Sequence, residues 1–101
     1  MSFSIINVEN SNVLEIFGIN NENINYFEAT LPLKIFQKGN ELNIKGEKKY
    51  RDILKSAISK TLTEIKLDKS LRKNNLILEN LKMQILNDEV DKNFHHIFHN
   101  L

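Results

Sequence analysis

Two groups of residues in this sequence have types and spacing that could do chemistry: a glycine-led turn and three histidines near the end of the chain. The turn is Gly18-Ile19-Asn20-Asn21, which separates two apolar segments. Its asparagines can accept hydrogen bonds from the free N–H groups that begin a helix. The turn therefore predicts a helix over about Glu22–Thr30, ended by the proline that follows.

The histidines offer a possible metal site. His95 and His99 are one helical turn apart, and with Glu89 or Asp91 they could hold zinc. The sequence has no cysteine, no second histidine cluster and no H-E-x-x-H motif to complete such a site. A tail without metal is the favoured interpretation, so we expect no metal ligands. No nucleophile and base, and no pair of carboxylates, has a spacing typical of catalysis, so we also expect no catalytic residue.

A third group is basic. It consists of five lysines, and the acidic residues Glu41, Glu47 and Asp52 are interspersed among them. The group could form a weak, salt-dependent contact to a phosphate backbone, or it could be a solvated surface. The second interpretation is slightly favoured because of the interspersed acidic residues. The lysines cluster around a predicted hairpin and the start of a long helix: Lys34, Lys38, Lys45, Lys48 and Lys49.

Composition limits what these groups can do. The chain has 101 residues, which is the size of one domain, and its 14 basic and 13 acidic residues give no global field that would attract nucleic acid or a membrane. The absence of cysteine removes disulfides and thiol chemistry and agrees with a cytosolic setting. No apolar run approaches the roughly 20 residues that span a bilayer, and the start lacks the features of a signal peptide. We therefore expect a cytoplasmic protein with no membrane partner.

Hydrophobic periodicity predicts the elements that position these groups. Residues 13–17 could form a strand or a short helix, and the helix is favoured because Asn12 and Glu15 resemble a capping box. The apolar residues of the tail, 87–101, keep helical spacing at Phe94, Ile97, Phe98 and Leu101. The remaining predictions are strands at 2–8, 33–37 and 41–45, and helices at 22–30, 47–65 and 76–86.

This order predicts an α+β domain with a three-stranded sheet and helices on one face. It resembles the type I order, β-α-α-β-β-α, of a K-homology (KH) domain over about residues 2–66. The motif of that family is a hydrophobic residue and Gly-x-x-Gly, followed by spaced apolar positions. Here it is matched by Phe17, Gly18, Asn21, Ile24 and Phe27. We therefore expect a KH-like domain over 1–66 and a helical extension over 67–101.

A closer resemblance is to the N-terminal KH-like domain of PhoH-like ATPases. That family carries a similar Leu-Phe-Gly turn, a Glu-Asn-Leu helix start, and a Gly-Asn between two strands that end in Gly-Glu. The corresponding residues here are Phe17, Gly18, Glu22, Asn23, Ile24, Gly39, Asn40, Gly46 and Glu47. The resemblance implies a bacterial protein of RNA metabolism whose further P-loop domain binds ATP and Mg²⁺. No G-x-x-x-x-G-K-[ST] motif occurs here, so we expect this chain to be an N-terminal fragment or a truncated product that is not an enzyme.

The resemblance also implies a site. In KH domains the turn lets a single-stranded backbone approach the first turn of a helix, and about four nucleotides lie in the adjoining groove. This sequence departs from the family in having Asn21 in place of the second glycine and no positive charge in the turn, so we expect weak binding of single-stranded RNA. The nucleic-acid-binding residues implied are Gly18, Ile19, Asn20, Asn21, Asn23, Lys34, Phe36 and Lys38.

An interaction module is the alternative function. In this hypothesis the KH shape packs against its own ATPase domain, or the chain self-associates through the long helix and the apolar stripe of the tail. No nucleic acid is then bound, and the Gly18–Asn21 turn only starts a helix. Charged replacements at Phe94 and Phe98 would separate the two hypotheses.

Overall fold

A computed structural model describes residues 3–71 and 75–99, with side chains up to residue 89. The fold is α+β, with a three-stranded antiparallel sheet and helices on one of its faces, which confirms the predicted class. The strands are β1 (Phe3–Asn7), β2 (Lys34–Lys38) and β3 (Glu41–Lys45). The α-helices are α1 (Val13–Phe17), α2 (Glu22–Thr30), α3 (Lys48–Leu67) and α4 (Leu76–His99), and short 3₁₀ turns cover Asn10–Asn12, Ile19–Asn21 and Lys69–Leu71.

The strand order is β1-β3-β2, so β3 is central and β2 is an edge strand. The register places Ile35 beside Ile44, and Phe36 beside Asn43. Because side chains alternate between the faces of a sheet, Ile35 and Ile44 point towards the helices while Phe36 and Asn43 point away. We call this second face the outer sheet face; it is formed by Phe3, Ile5, Asn7, Lys34, Phe36, Lys38, Glu41, Asn43 and Lys45.

The core lies between the other face of the sheet and the helices. Phe17 of α1 and Phe27 of α2 are fully buried there with Leu42 and Ile44 of β3. Helix α3 covers the sheet with the stripe that the periodicity predicts, in which Leu54, Ala57, Ile58 and Ile65 are buried. Burial of each large aliphatic or aromatic side chain stabilises the fold by roughly 1.5–3 kcal/mol.

Helix α2 occupies the range predicted for it. It begins after the Gly18–Asn21 turn, and it ends where Leu31 takes an extended conformation, with φ −120° and ψ 145°. The residue before a proline avoids the helical region because the proline ring crowds it, so Pro32 sets this end. Ile24 and Phe27 then face the core from one side of the helix.

The first half of α4 belongs to the same core. Ile77 and Leu81 are fully buried, and Asn80 is buried beside them. The Asn80 amide donates to Oγ1 of Thr61 and to Oε1 of Glu64 in α3, each over 2.8 Å. Packing and hydrogen bonds therefore continue from α3 into the segment that begins after residue 66, where the sequence predicted a helical extension.

Helix α4 also runs further than the predicted 76–86. The side chains of Phe94, Ile97, Phe98 and the three histidines, and all of Leu101, lie outside what the structure describes, so the predictions on them stay predictions. Within 3–71 and 75–99, no helix combines the length and the apolar character needed to cross a bilayer.

Candidate nucleic-acid interface

The Gly18–Asn21 turn has an unusual backbone. Gly18 has φ 81° and ψ 171°, a combination open almost only to glycine, while Asn20 and Asn21 are left-handed with φ 53° and 58°. Asparagine enters the left-handed region more readily than most residues because its short polar side chain bonds locally. Two consecutive asparagines therefore allow a turn for which the KH-like motif uses a second glycine.

Gly18 is also required by close packing. A Cβ placed on it would lie 2.9 Å from Cγ of Asn23 and of Glu22, closer than real Cβ atoms approach other heavy atoms. Its N–H donates to the carbonyl of Leu14 over 2.9 Å and so ends α1. The turn thus brings the end of α1 directly against the first residues of α2.

Asn23, one of the predicted nucleic-acid contacts, lies in the interior. It is 3% exposed, and its Nδ2 donates to the carbonyl of Ile16 over 3.4 Å. This bond joins the end of α1 to the start of α2. The structure therefore places Asn23 beneath the turn, whereas Ile19 and Asn20 lie on its surface.

Asn21 does not cap α2 in the way the sequence suggests. Neither end of the turn makes a side-chain capping bond, and Nδ2 of Asn21 instead donates to Oε1 of Gln37 over 2.8 Å. Gln37 in turn donates from Nε2 to the carbonyl of Gly39 over 2.7 Å. The turn is thus connected to the edge strand β2, and the first N–H groups of α2 have no capping side chain.

A second bridge lies along the same groove between α2 and β2. Oε2 of Glu28 accepts a hydrogen bond from the backbone N–H of Ile35 over 3.0 Å. Residues 18–33 contain Glu22 and Glu28 but no lysine or arginine. The groove beside the turn therefore carries negative side chains, which oppose phosphate.

The predicted strand residues point elsewhere. Lys34, Phe36 and Lys38 belong to the outer sheet face, whereas Gln37, which contacts the turn, belongs to the other side of β2. Apart from the buried Asn23, the structure thus divides the predicted residues between two surfaces, and only the turn residues lie at the groove. The alternation that puts Leu33 and Ile35 on one face was the signal in the sequence that places Lys34 and Phe36 on the other.

Two of the five clustered lysines are paired within the chain. Lys48 contacts Asp52 over 2.8 Å and Lys49 contacts Asp88 over 3.4 Å. The hydrogen bond from Lys48 holds the pKa of Asp52 below its ordinary value, so this carboxylate is a poor general base. The other three lysines, Lys34, Lys38 and Lys45, lie on the outer sheet face and form no ion pair with a described residue.

The concave surfaces of the described chain offer no assembled catalytic group. A cleft of about 320 Å³ between α3 and α4 is lined by the Lys49–Asp88 ion pair and by Asp52, Ser56 and Gln84. A second cavity, of about 430 Å³, lies between the end of β1 and the end of α3, near Glu9 and Lys66. Within the described residues, no three histidine, aspartate or glutamate side chains are grouped to hold a metal ion.

Comparisons with protein-family models, with curated proteins and with solved structures found no match to this chain. Function is therefore inferred from three surfaces: the turn, the groove beside it and the outer sheet face.

Proposed function

We propose that this chain is a single-stranded nucleic-acid-binding module of the KH-like kind, with the Gly18–Asn21 turn as its backbone contact. The observation that supports this most directly is the turn itself. Its left-handed residues, the exposed Asn20 and the partly buried Asn21, lead into a helix whose first N–H groups have no capping side chain. Such N–H groups, together with the helix dipole, favour a phosphate.

The edge strand supports the same function. Gln37 lies within hydrogen-bonding distance of the turn, so a single nucleic-acid strand that is bound at the turn would pass next to β2. The Glu28 carboxylate beside it is a polar group that a base can contact. Because residues 18–33 lack a cation, binding here depends on backbone N–H groups and base contacts, and it is weak with a small salt dependence.

Membership of the PhoH-like family is part of this proposal. The residues that carry the resemblance occupy structural positions: Phe17 is fully buried, Gly18 and Gly39 have positive φ, and Gly46 follows β3. ATP hydrolysis is not proposed for residues 1–101. Reading the coding region beyond codon 101 tests the family: a P-loop motif in the same frame supports it, and an unrelated domain in its place overturns it while leaving nucleic-acid binding open.

An NMR titration of the isotope-labelled chain with a short single-stranded RNA tests the binding site. We expect amide shifts at Gly18–Asn21, Ile35 and Gln37. Asn20→Asp keeps a residue that tolerates the left-handed region, but it puts a carboxylate where the phosphate would lie, so affinity should fall roughly two- to fivefold.

Asn87→Asp is the matched control for charge, because Asn87 is exposed on α4, where it lines the cleft with Lys49 and not the groove beside the turn. It should change RNA affinity less than Asn20→Asp does. Absence of shifts at the turn with RNA on the order of millimolar, well above usual non-specific dissociation constants, would reject the site. Equal weakening by both variants would reject it as well, since a general charge effect would explain both.

A further inference from the structure

The outer sheet face is an open surface with an apolar centre. Phe3 and Ile5 of β1 are each 50% exposed, and Phe36 of β2 is 49% exposed. The register puts Ile5 and Phe36 on either side of Asn43, with Phe3 in the next row. Two phenylalanine rings are therefore half exposed on one side of a three-stranded sheet.

The charged residues on this face are mostly basic. Lys34, Lys38 and Lys45 lie on it with a single carboxylate, Glu41. Nζ of Lys45 is 5.1 Å from the centre of the Phe36 ring, and Nζ of Lys34 is 6.0 Å from it. Both ammonium groups are within cation–π range of the ring, so cations and an aromatic surface are side by side.

This pairing matches the chemistry of a single nucleic-acid strand. Every base has a flat π surface that can stack on an aromatic side chain, and every linkage carries a phosphate that a lysine can contact. A duplex hides the flat surfaces of its bases within the stack. A positive surface is also a poor match for a basic protein partner.

We propose that the outer sheet face binds single-stranded nucleic acid, with a base stacked on Phe36 and the neighbouring phosphates at Lys34 and Lys45. The proposal takes its class of ligand from the proposed function but uses a separate surface from the turn. Strands of five residues give room for about two or three stacked bases, the number that aromatic side chains stack on the four-stranded sheets of known RNA-binding domains. Phe3 provides the second stacking position.

Asn43 is the polar group at the centre of this surface. Its side-chain oxygen is buried and has no hydrogen-bond partner. Rotation of this side chain when a base stacks beside it exposes the amide to the edge of that base. Asn43 is thus the residue of this face best placed for base selection.

Fluorescence anisotropy with a labelled single-stranded oligouridylate tests the surface on the full chain. Phe36→Ala should weaken binding by roughly 5- to 150-fold, the change equivalent to the 1–3 kcal/mol of one stacked base. Leu14→Ala is the matched control, because Leu14 is 53% exposed but lies on α1. A duplex of the same length should bind more weakly than the single strand.

Salt dependence measures the phosphate contacts separately. Replacing both Lys34 and Lys45 by Gln should reduce the slope of log K against log salt by about 1.4, since each phosphate contact to a single strand contributes about 0.7. The control is Lys55→Gln with Lys60→Gln, two exposed lysines of α3. The amide spectrum of each variant checks that the fold is intact.

The outcomes separate this surface from the turn. If Phe36→Ala weakens RNA binding and Asn20→Asp does not, the outer sheet face is supported as the binding surface and the turn is rejected. If Asn20→Asp weakens RNA binding and Phe36→Ala does not, the outer sheet face is rejected and the proposed function stands. No binding of any single strand rejects both. A concentration-dependent dimer that Phe36→Ala dissociates, with unchanged RNA affinity, overturns the proposal in favour of self-association.

Discussion

Nδ2 of Asn21 lies 2.8 Å from Oε1 of Gln37, and this hydrogen bond connects the turn before α2 to the edge strand β2. It joins residues 16 positions apart in the chain. A nucleotide that enters the groove at this point has to replace the bond or build upon it. The bond therefore affects both the shape of the turn and its affinity for a ligand.

Breaking this bond should raise affinity for single-stranded RNA. Gln37→Ala removes the acceptor without substituting any residue of the turn, and an exposed hydrogen bond contributes about 0.5–1 kcal/mol, so we expect a roughly two- to fivefold gain. Asn21→Gly should give at least this gain, because it also removes the left-handed cost of a residue with a Cβ. Anisotropy titrations measure both. Weaker binding by Gln37→Ala would show instead that Gln37 itself contacts the ligand.

Gly18→Ala should destabilise the fold more than Gly39→Ala. Both glycines have positive φ, but a Cβ on Gly18 meets two side-chain atoms at 2.9 Å, whereas a Cβ on Gly39 has nothing within 4 Å. We expect a loss of more than about 2 kcal/mol for Gly18→Ala and about 1 kcal/mol for Gly39→Ala. Urea denaturation measures the unfolding free energies. Equal losses would mean that the turn does not press against α2.

Asn43→Val should stabilise the protein while weakening its binding. The substitution removes a buried oxygen that has no partner and adds a β-branched side chain to the central strand, so the unfolding free energy should rise by about 1 kcal/mol. Affinity for single-stranded RNA should fall because an amide is lost from the outer sheet face. Asn7→Val is the control, because Asn7 lies on the same face but is exposed. Its unfolding free energy gives the part of the change that comes from strand propensity alone. A stabilised variant with unchanged affinity would remove Asn43 from the proposed surface.

Substitutions in α4 test whether it folds as one unit with the sheet. Ile77→Ala and Leu81→Ala each delete a fully buried side chain, so each should cost about 2–5 kcal/mol. Met83→Ala should stay within about 0.5 kcal/mol, because Met83 is 47% exposed on the same helix. Unfolding followed by circular dichroism should remain a single transition. A separate transition for α4 would assign it to an independent extension.

The pKa of Asp68 should rise in Ser70→Ala. In the native chain the Ser70 hydroxyl donates to Oδ1 of Asp68 over 2.7 Å and its backbone N–H donates over 3.0 Å, and these bonds lower the pKa of the carboxyl. The stability that Asp68 contributes is therefore present above its unfolded pKa and is lost as the pH falls through its lower folded pKa. Carboxyl NMR shifts followed from about pH 6 to about pH 2 measure the change. Asp52 is the internal control, since its pKa depends chiefly on Lys48.

Much of the fold could be predicted because strong local signals mark its boundaries. Pro32 ends α2 and the Gly39-Asn40 turn separates β2 from β3, so α2 and β3 have the predicted bounds. The prediction for α4 ended at residue 86 because residues 87–93 contain a single apolar residue, although no glycine or proline interrupts residues 76–99. Burial of Asn80 was not predictable from α4 alone, because its partners belong to α3.

The site was predictable only in part. The left-handed backbone at Asn21 follows from residue type, but its bond to Gln37 depends on where the edge strand packs. The family resemblance placed Lys34 and Phe36 with the turn, whereas alternation along β2 puts them on the outer sheet face. Side-chain direction in a strand is local information, and it was the better guide to which residues share a surface.

The contact between Glu28 and Ile35 has a consequence for the assembly of the protein. β2 is an edge strand, and free N–H groups on such a strand can pair with a strand from another molecule. The N–H of Leu33 donates to the carbonyl of Leu31 over 2.7 Å, and the N–H of Ile35 donates to Glu28. The donor of Ile35 in β2 and the donor of Leu33 just before the strand are thus already used, which disfavours pairing with another strand at the start of β2.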